Sequence, residues 1–239
     1  MTGTAADQAS EGDVDPDDFR DLCSFCAEVE RVRAHNLLLE LMPDLRPDDF
    51  ILRETSDFVV IPGVGSVCDG YVIISPKEHV LSFGYLDASL GAQFESLFAD
   101  VEQKLSELYG RPVIAFEHGA ESFRNRGGSC TDHAHAHVFP ADPRLDLVSA
   151  LRADFDLRPA PRFLPAAREQ VALRRRPYLW LRGAGGDMWV CDAPKALSQY
   201  VRRVIVAQLG RPGEWDWLVF PGTDHMRATV RRLHRSRWQ

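Results

Sequence analysis

Three histidines recur at every second residue in Ser129-Cys130-Thr131-Asp132-His133-Ala134-His135-Ala136-His137-Val138-Phe139-Pro140. In an extended strand, residues i, i+2 and i+4 share one face. His133, His135 and His137 are therefore expected to line one side of a strand, roughly 7 Å apart at two strand rises each. Ala134, Ala136 and Val138 would turn to the other face, where small apolar groups pack under a helix. Imidazole serves in metal ligation, proton transfer and nucleophilic attack. A stretch that alternates with alanine in mid-chain and runs into Val-Phe-Pro reads as neither an accident nor a tag. Three histidines could also bind one catalytic metal together.

A second pair of metal-competent residues stands near the start, in Leu22-Cys23-Ser24-Phe25-Cys26. A Cys-x-x-Cys of the thioredoxin kind wants a strand before it, whereas an acidic segment precedes this one. A zinc reading requires two further ligands from elsewhere in the chain. With five cysteines, an odd number, a disulfide scaffold is disfavoured, and reduced thiols with a cytoplasmic location are expected.

These residues must be positioned by a folded core. At 239 residues and 45% hydrophobic composition the chain can bury one. The formal charge of −7 is uneven. Asp7, Glu11, Asp13, Asp15, Asp17, Asp18 and Asp21 stand against Arg20 alone, leaving the body nearly neutral. Residues 1–20 are expected to be a disordered acidic tail. The far end carries Arg227, Arg231, Arg232, Arg235 and Arg237, read as a solvated helix face. No apolar run has the length of a membrane span and no signal peptide heads the sequence, so no membrane partner is expected.

Phe58–Pro62 and Tyr71–Ile74 read as an antiparallel pair around the glycine-rich residues 63–70. Over 92–109, Phe94, Leu97, Phe98, Val101, Leu105 and Leu108 form one helical face, with Gly110 just past the end. Residues 112–116 form a further strand. Glu117 and His118 follow, placed either in a pocket or at the strand end. The polar loop 119–129 leads to the histidine strand. Residues 143–177, with Pro143, Pro159, Pro161, Pro165, Pro177 and many arginines, read as a connector. Residues 178–239 read as a C-terminal α/β extension: a hairpin around 183–186, a helix from Pro194 to Leu209, the apolar stretch Trp215–Phe220, and a final helix over 223–235. The expected class is α+β, an antiparallel sheet with a helix packed across it, and a catalytic domain spanning 21–142.

His133-x-His135-x-His137-Val138-Phe139 resembles the signature of the histidine-triad superfamily. Ser75-Pro76-Lys77-Glu78-His79 resembles its second landmark, and Cys23-x-x-Cys26 its zinc-containing branch. The resemblance covers roughly residues 22–140. It implies a structural zinc held by Cys23, Cys26, His79 and His133, a closed tetrahedral set. It implies His135 as nucleophile toward the α-phosphate of a nucleotide anhydride, ester or phosphoramidate, through a nucleotidyl-histidine intermediate. His137 would serve the same phosphoryl group, and histidine at that position favours a hydrolase. Asn125, Ser129, Cys130, Glu117, Gln199 and Arg202 are the candidate substrate-binding residues, with Arg124 and Arg126 as further phosphate contacts. Two features depart from the pattern: Ser129 replaces a glutamine, and Gly63 stands where an acid usually grips the ribose. A nucleotidyltransferase or phosphorylase with a non-water acceptor, and a non-catalytic nucleotide-binding module, are the alternative functions. A nucleotide-type small molecule is the expected partner, not sequence-specific nucleic acid, and the chain is expected as a monomer or homodimer.

Overall fold

The structure is a computed structural model and describes residues 20–236 and Trp238. The acidic tail expected over 1–20 lies, up to residue 19, outside the described residues. Eight strands form one sheet in the order β1-β2-β3-β5-β4-β7-β8-β6. They are β1 (Arg53–Glu54), β2 (Phe58–Pro62), β3 (Val72–Pro76), β4 (Val113–Gly119), β5 (Ala136–Pro140), β6 (Arg158–Pro159), β7 (Tyr178–Arg182) and β8 (Met188–Asp192). Every neighbouring pair is antiparallel. With helices α1 (Ser24–Val29), α2 (Leu37–Leu41), α3 (Gly91–Tyr109), α4 (Leu147–Asp154), α5 (Phe163–Arg168), α6 (Tyr200–Gln208) and α7 (Thr223–Arg235), the class is α+β, as expected. Among the described residues no helix is long and apolar enough to cross a membrane.

Both faces of the sheet are covered, which is why β2, β3 and β4 read as continuous apolar runs and not as apolar–polar alternation. On the first face, Phe58, Val60, Val72, Ile74, Ala115, Ala136 and Val138 pack beneath Phe94, Leu97, Val101 and Leu105 of α3. That helix lies as its periodicity predicts. It ends where Gly110 takes a left-handed conformation (φ 62°) and returns its N–H to the Ser106 carbonyl.

The second face is covered in two halves. Phe25, Leu38, Leu39 and Met42 of the N-terminal segment sit over Val59, Ile61 and Ile73 of β2 and β3. Leu147 and Leu151 of α4, with Val201 and Ile205 of α6, sit over Ile114, Phe116, Leu179 and Leu181 of β4 and β7. The central strand β5 runs between the halves, with His137 on this face beside Ile73 and Phe116.

Three expectations are corrected. First, the triad is not a continuous strand. The ladder between β3 and β5 pairs Ile73 with His137 and Ile74 with Ala136, then stops, leaving His133 and His135 outside it. The next inward-facing donor would belong to Pro76, which has no N–H. The Ser75 hydroxyl instead donates to the Ala134 carbonyl (3.0 Å), and the Ala134 N–H reaches Val80 (2.7 Å).

Second, residues 143–177 are not a bare connector. They contain α4, β6 and α5, and Phe163, Leu164, Ala167 and Val171 join the core. The prolines fit the structure: Pro165 lies in the first turn of α5 and Pro159 in an edge strand, where no ladder donor is needed. The hairpin of β7 and β8 then pairs with β4, so residues 178–192 continue the sheet and do not stand apart from it.

Third, the helix expected from Pro194 begins only at Tyr200, because Gln199 is left-handed (φ 59°) and its N–H is bonded to the Gly128 carbonyl. Leu197 is exposed as a result.

Gly119 closes β4 against the ring of Tyr178, its register partner in β7. A Cβ at this position would lie 2.0 Å from Tyr178 Cε1. Gly119→Ala is therefore expected to lower stability by about 1–3 kcal/mol through overpacking. Chemical denaturation checks this: the transition midpoint falls while its slope holds, and an unchanged midpoint would show that Tyr178 yields freely.

Candidate functional site

The segment 129–137 leaves the sheet where Pro76 ends the ladder, and its three imidazoles part company there. His133 turns toward the Cys-x-x-Cys turn. Its Nδ1 lies 3.5 Å from Cys23 Sγ and 3.6 Å from Cys26 Sγ, and its Nε2–H donates to the Pro76 carbonyl (2.9 Å). His79 Nδ1 lies 3.2 Å from Cys26 Sγ. One ligand atom from each of Cys23, Cys26, His79 and His133 falls within a 4.8 Å group that could hold a metal ion. A tetrahedral zinc with two thiolates and two imidazoles has sulfur–nitrogen edges of about 3.5 Å, so the donors fit. The Pro76 carbonyl supplies the outer hydrogen bond that a ligating imidazole normally makes. The hydrogen bond from Cys26 holds the Cys23 thiol well below its usual value. The same bond, with burial, pushes Cys26 up. A bound metal ion would take the place of that shared proton.

Phe25, between the two cysteines, links this cluster to the next histidine. Its ring packs 5.4 Å from His133 and 5.1 Å from His135. His135 Nδ1 lies 2.8 Å from the His133 carbonyl. A carbonyl can only accept, so Nδ1 carries the proton and Nε2 keeps its lone pair. Burial lowers the His135 pKa to about 4, so the ring is neutral at physiological pH. His137 sits 4.7 Å from His135, centroid to centroid, and stacks on Phe116 at 4.4 Å. Its Nδ1 is hydrogen-bonded to the Tyr71 hydroxyl at 3.0 Å. Burial holds His137 well below its ordinary value. Burial likewise pushes the Tyr71 phenol up, so that phenol keeps its proton.

Two small cavities, of about 50 and 30 Å³, meet at His135 and His137. Of the candidate binding residues, Ser129, Cys130, Gln199 and Arg202 line the second cavity; Glu117 and Asn125 do not. Glu117 faces the other side of β4, where it accepts from the Phe83 N–H (2.9 Å) and the Tyr178 hydroxyl (2.5 Å). Burial raises its pKa to about 8. Asn125 donates to Glu121 and Arg126 pairs with Asp132 in the loop. Arg202 touches the cavity, but its guanidinium is committed to the carbonyls of Gly65, Glu214, Trp215 and Phe220. Its work is to clamp residues 214–220 over the site.

Sequence reasoning missed Tyr71, Phe25, Trp217 and Glu28. Tyr71 also accounts for Gly63: a Cβ there would lie 2.6 Å from the Tyr71 ring, so an acid cannot occupy that position. Asp69, the nearby acid, pairs instead with His225 at 2.6 Å. Trp217 closes the cavity from above, donating its indole N–H to Cys130 Sγ (3.2 Å) and its backbone N–H to Gln199 (3.3 Å). Glu28 is buried at the outer wall of the first cavity, with Ile61, Val64 and Ile73. Spacing to Cys26 could have flagged Phe25 and Glu28, which share the short helix with the thiols; nothing local marks Trp217.

No family model matches the sequence, and no curated protein does. Solved structures that resemble the fold include three histidine-triad proteins. A hypothetical histidine triad nucleotide-binding protein from Sulfolobus tokodaii has 19% identity over 51% of this chain and 70% of that one, with a TM-score of 0.38. A member of the HIT family from Bacillus subtilis has 14% identity over 44% and 71%, with a TM-score of 0.35. A Hit-like protein involved in cell-cycle regulation from Bartonella henselae has 9% identity over 45% and 80%, with a TM-score of 0.36. With overlaps this slight, the functional reading rests on the residues of this chain.

His118, beside the triad on β4, ties stability to pH. Burial lowers its pKa to about 3, against about 6.5 in the unfolded chain. The unfolded state therefore takes up the proton first. The stability associated with a neutral His118 is full above about pH 6.5 and is lost as pH falls toward 3, at up to about 1.4 kcal/mol per pH unit. His118→Gln is expected to flatten the fall in unfolding free energy between pH 7 and pH 5. Parallel curves for the two proteins would show that His118 does not titrate this way.

Proposed function

We propose that this protein is a nucleotide hydrolase that cleaves at an α-phosphate through His135, with a structural zinc at Cys23, Cys26, His79 and His133. The observation that supports this most strongly is the pair of opposed roles within one segment. His133 faces the two cysteine sulfurs in a four-donor set, whereas His135, two residues on, carries its proton on Nδ1, keeps a bare Nε2 and lines a cavity. A closed Cys2His2 set leaves no position for substrate. The metal's contribution is to fix the N-terminal turn and the histidine segment, and the chemistry falls to imidazole.

In this reading His135 Nε2 forms a bond to the α-phosphorus as the bond to the leaving group breaks. The leaving group departs with the electron pair and is protonated by solvent. The His133 carbonyl, held by Nδ1–H of His135, stabilises the positive charge that develops on the ring. Water then displaces the imidazole from phosphorus and restores the free enzyme. His137, whose Nδ1 accepts a hydrogen bond from the Tyr71 hydroxyl, carries its proton on Nε2 and turns Nε2–H toward the phosphoryl oxygens. Phosphoryl transfer of this kind depends on positioning and on stabilising charge at those oxygens. The cavities are far smaller than the roughly 300 Å³ or more of a ligand pocket, so substrate entry requires Trp217 to swing away from Cys130 and Gln199. Transfer to an acceptor other than water is the competing reading, to be separated by product analysis.

Two measurements test the proposal. Incubation with nucleotide anhydrides and phosphoramidates, followed by intact-mass spectrometry, is expected to show a nucleotidyl adduct on wild type and none on His135→Ala, with turnover reduced by about 10³-fold or more. Equal turnover in both proteins would sink the mechanism. Elemental analysis is expected to find one zinc per chain. Cys26→Ser should lose it and melt well below wild type, because binding energy at a structural site is folding energy. A Cys26→Ser protein that melts as wild type and turns over normally would exclude a structural metal.

A further inference from the structure

A fourth imidazole borders the cavity outside the triad. His118 lies on β4, buried, at the register position opposite Leu179 of β7. With Phe116 it turns to the same face of β4 as the triad, and it lines the cavity together with His135, His137, Gln199 and Arg202. Its Nε2 receives the backbone N–H of Val201, in the first turn of α6, at 3.2 Å. A backbone N–H can only donate, so Nε2 is the bare nitrogen and Nδ1 carries the proton.

The ring's orientation follows from its neighbours. A Cβ at Gly128 would sit 3.1 Å from His118 Cδ2, so that edge is packed against the 127–129 turn. The Nε2 corner is held by α6. The Nδ1–Cε1 edge, opposite Cδ2, is the one left for the cavity. Among the described residues, the Val201 N–H is the hydrogen-bond partner of this ring.

We propose that His118 is a substrate-contacting residue, a neutral imidazole that donates its Nδ1–H to a phosphoryl oxygen of the bound nucleotide. This rests on the functional reading above and adds to it a role for helix α6. An imidazole whose far nitrogen accepts from the first turn of a helix is held neutral and in one tautomer, and so acts as a fixed donor and not as a proton shuttle. Burial acts in the same direction. His118 and His137 then approach the phosphoryl group from adjacent strands, β4 and β5, which are paired at Phe116 and His137. Because Val201 belongs to α6, the helix sets the donor's position, and residues 200–208 thereby take part in the site.

The two nitrogens can be separated by isosteres. The amide of glutamine reaches the place of Nε2, and the amide of asparagine the place of Nδ1. His118→Gln keeps an acceptor for Val201 and drops the donor; His118→Asn keeps a donor and drops the acceptor. Titration calorimetry of the full-length zinc-loaded proteins with the four nucleoside 5′-monophosphates, and with the parent nucleosides, reads the difference. For the monophosphate that wild type binds, His118→Gln is expected to weaken affinity about ten- to hundredfold, the range of a lost hydrogen bond to a charged group. His118→Asn should recover most of that loss, and nucleoside affinity should be unchanged throughout. Near-normal monophosphate binding by His118→Gln with loss in His118→Asn would overturn the proposal and leave the ring a support for Val201. Equal loss for nucleoside and monophosphate would also overturn it. If wild type binds no monophosphate at all, the hydrolase reading falls and the proposal falls with it. Should the variants fail to fold, long-range ¹H–¹⁵N spectra of wild-type histidines decide. Nδ1–H on His118, shifting on addition of monophosphate but not of nucleoside, supports the proposal; the opposite tautomer, or no shift, overturns it.

Discussion

The proline at the end of β3 is the constraint on which the site depends. Pro76 has no N–H to continue the ladder, so the histidine segment peels away from the sheet two residues early. Its carbonyl is free to take the Nε2–H of His133. That bond turns the opposite nitrogen of His133 to the cysteines, and the backbone carbonyl of the same residue then orients His135. One interrupted ladder thus divides three chemically identical side chains. The first belongs to the four-donor cluster. The second has a free lone pair. The third remains in the strand, stacked on Phe116 and bonded to Tyr71.

The covering of the sheet explains why these groups are both buried and reachable. Two half-layers pack on the second face, the N-terminal segment over β2 and β3, and α4 with α6 over β4 and β7. The central strand lies in the seam between them. Desolvation in that seam keeps His118, His135 and His137 neutral. Residues 214–220 roof the seam and are held by Arg202, whose cation is shared among four backbone carbonyls with no carboxylate among them. Leu218, Val219 and Phe220 beyond it are exposed, at 71%, 65% and 40%. The roof is therefore attached through a few polar contacts and not through a core of its own.

Much of this was legible in the sequence. The face of α3, the strands around residues 63–70, the hairpin of β7 and β8 and the last helix all follow from periodicity and turn residues, which act locally. The four donors of the cluster were readable because the three motifs that carry them resemble a known pattern. What escaped the sequence depends on tertiary contact. The proline-rich run 143–177 looked like a connector because proline is common in linkers; first-turn and edge-strand positions tolerate it equally well, and only burial of Phe163, Leu164 and Val171 tells them apart. Glu117 and His118 are adjacent, and alternation alone says that one faces the cavity without saying which. The left-handed turn at Gln199, bonded to Gly128, and the descent of Trp217 onto Cys130 bring together residues 71 and 87 positions apart, and no local pattern encodes that.

The division of the triad is most directly tested by X-ray absorption at the zinc edge on the purified protein. The expected shell is two sulfur neighbours at about 2.3 Å and two nitrogen neighbours at about 2.0 Å, a closed set in which one triad histidine takes part. A shell of three nitrogens with an oxygen and no sulfur would contradict it, since all three histidines would then share the metal and none would be free to act as a nucleophile.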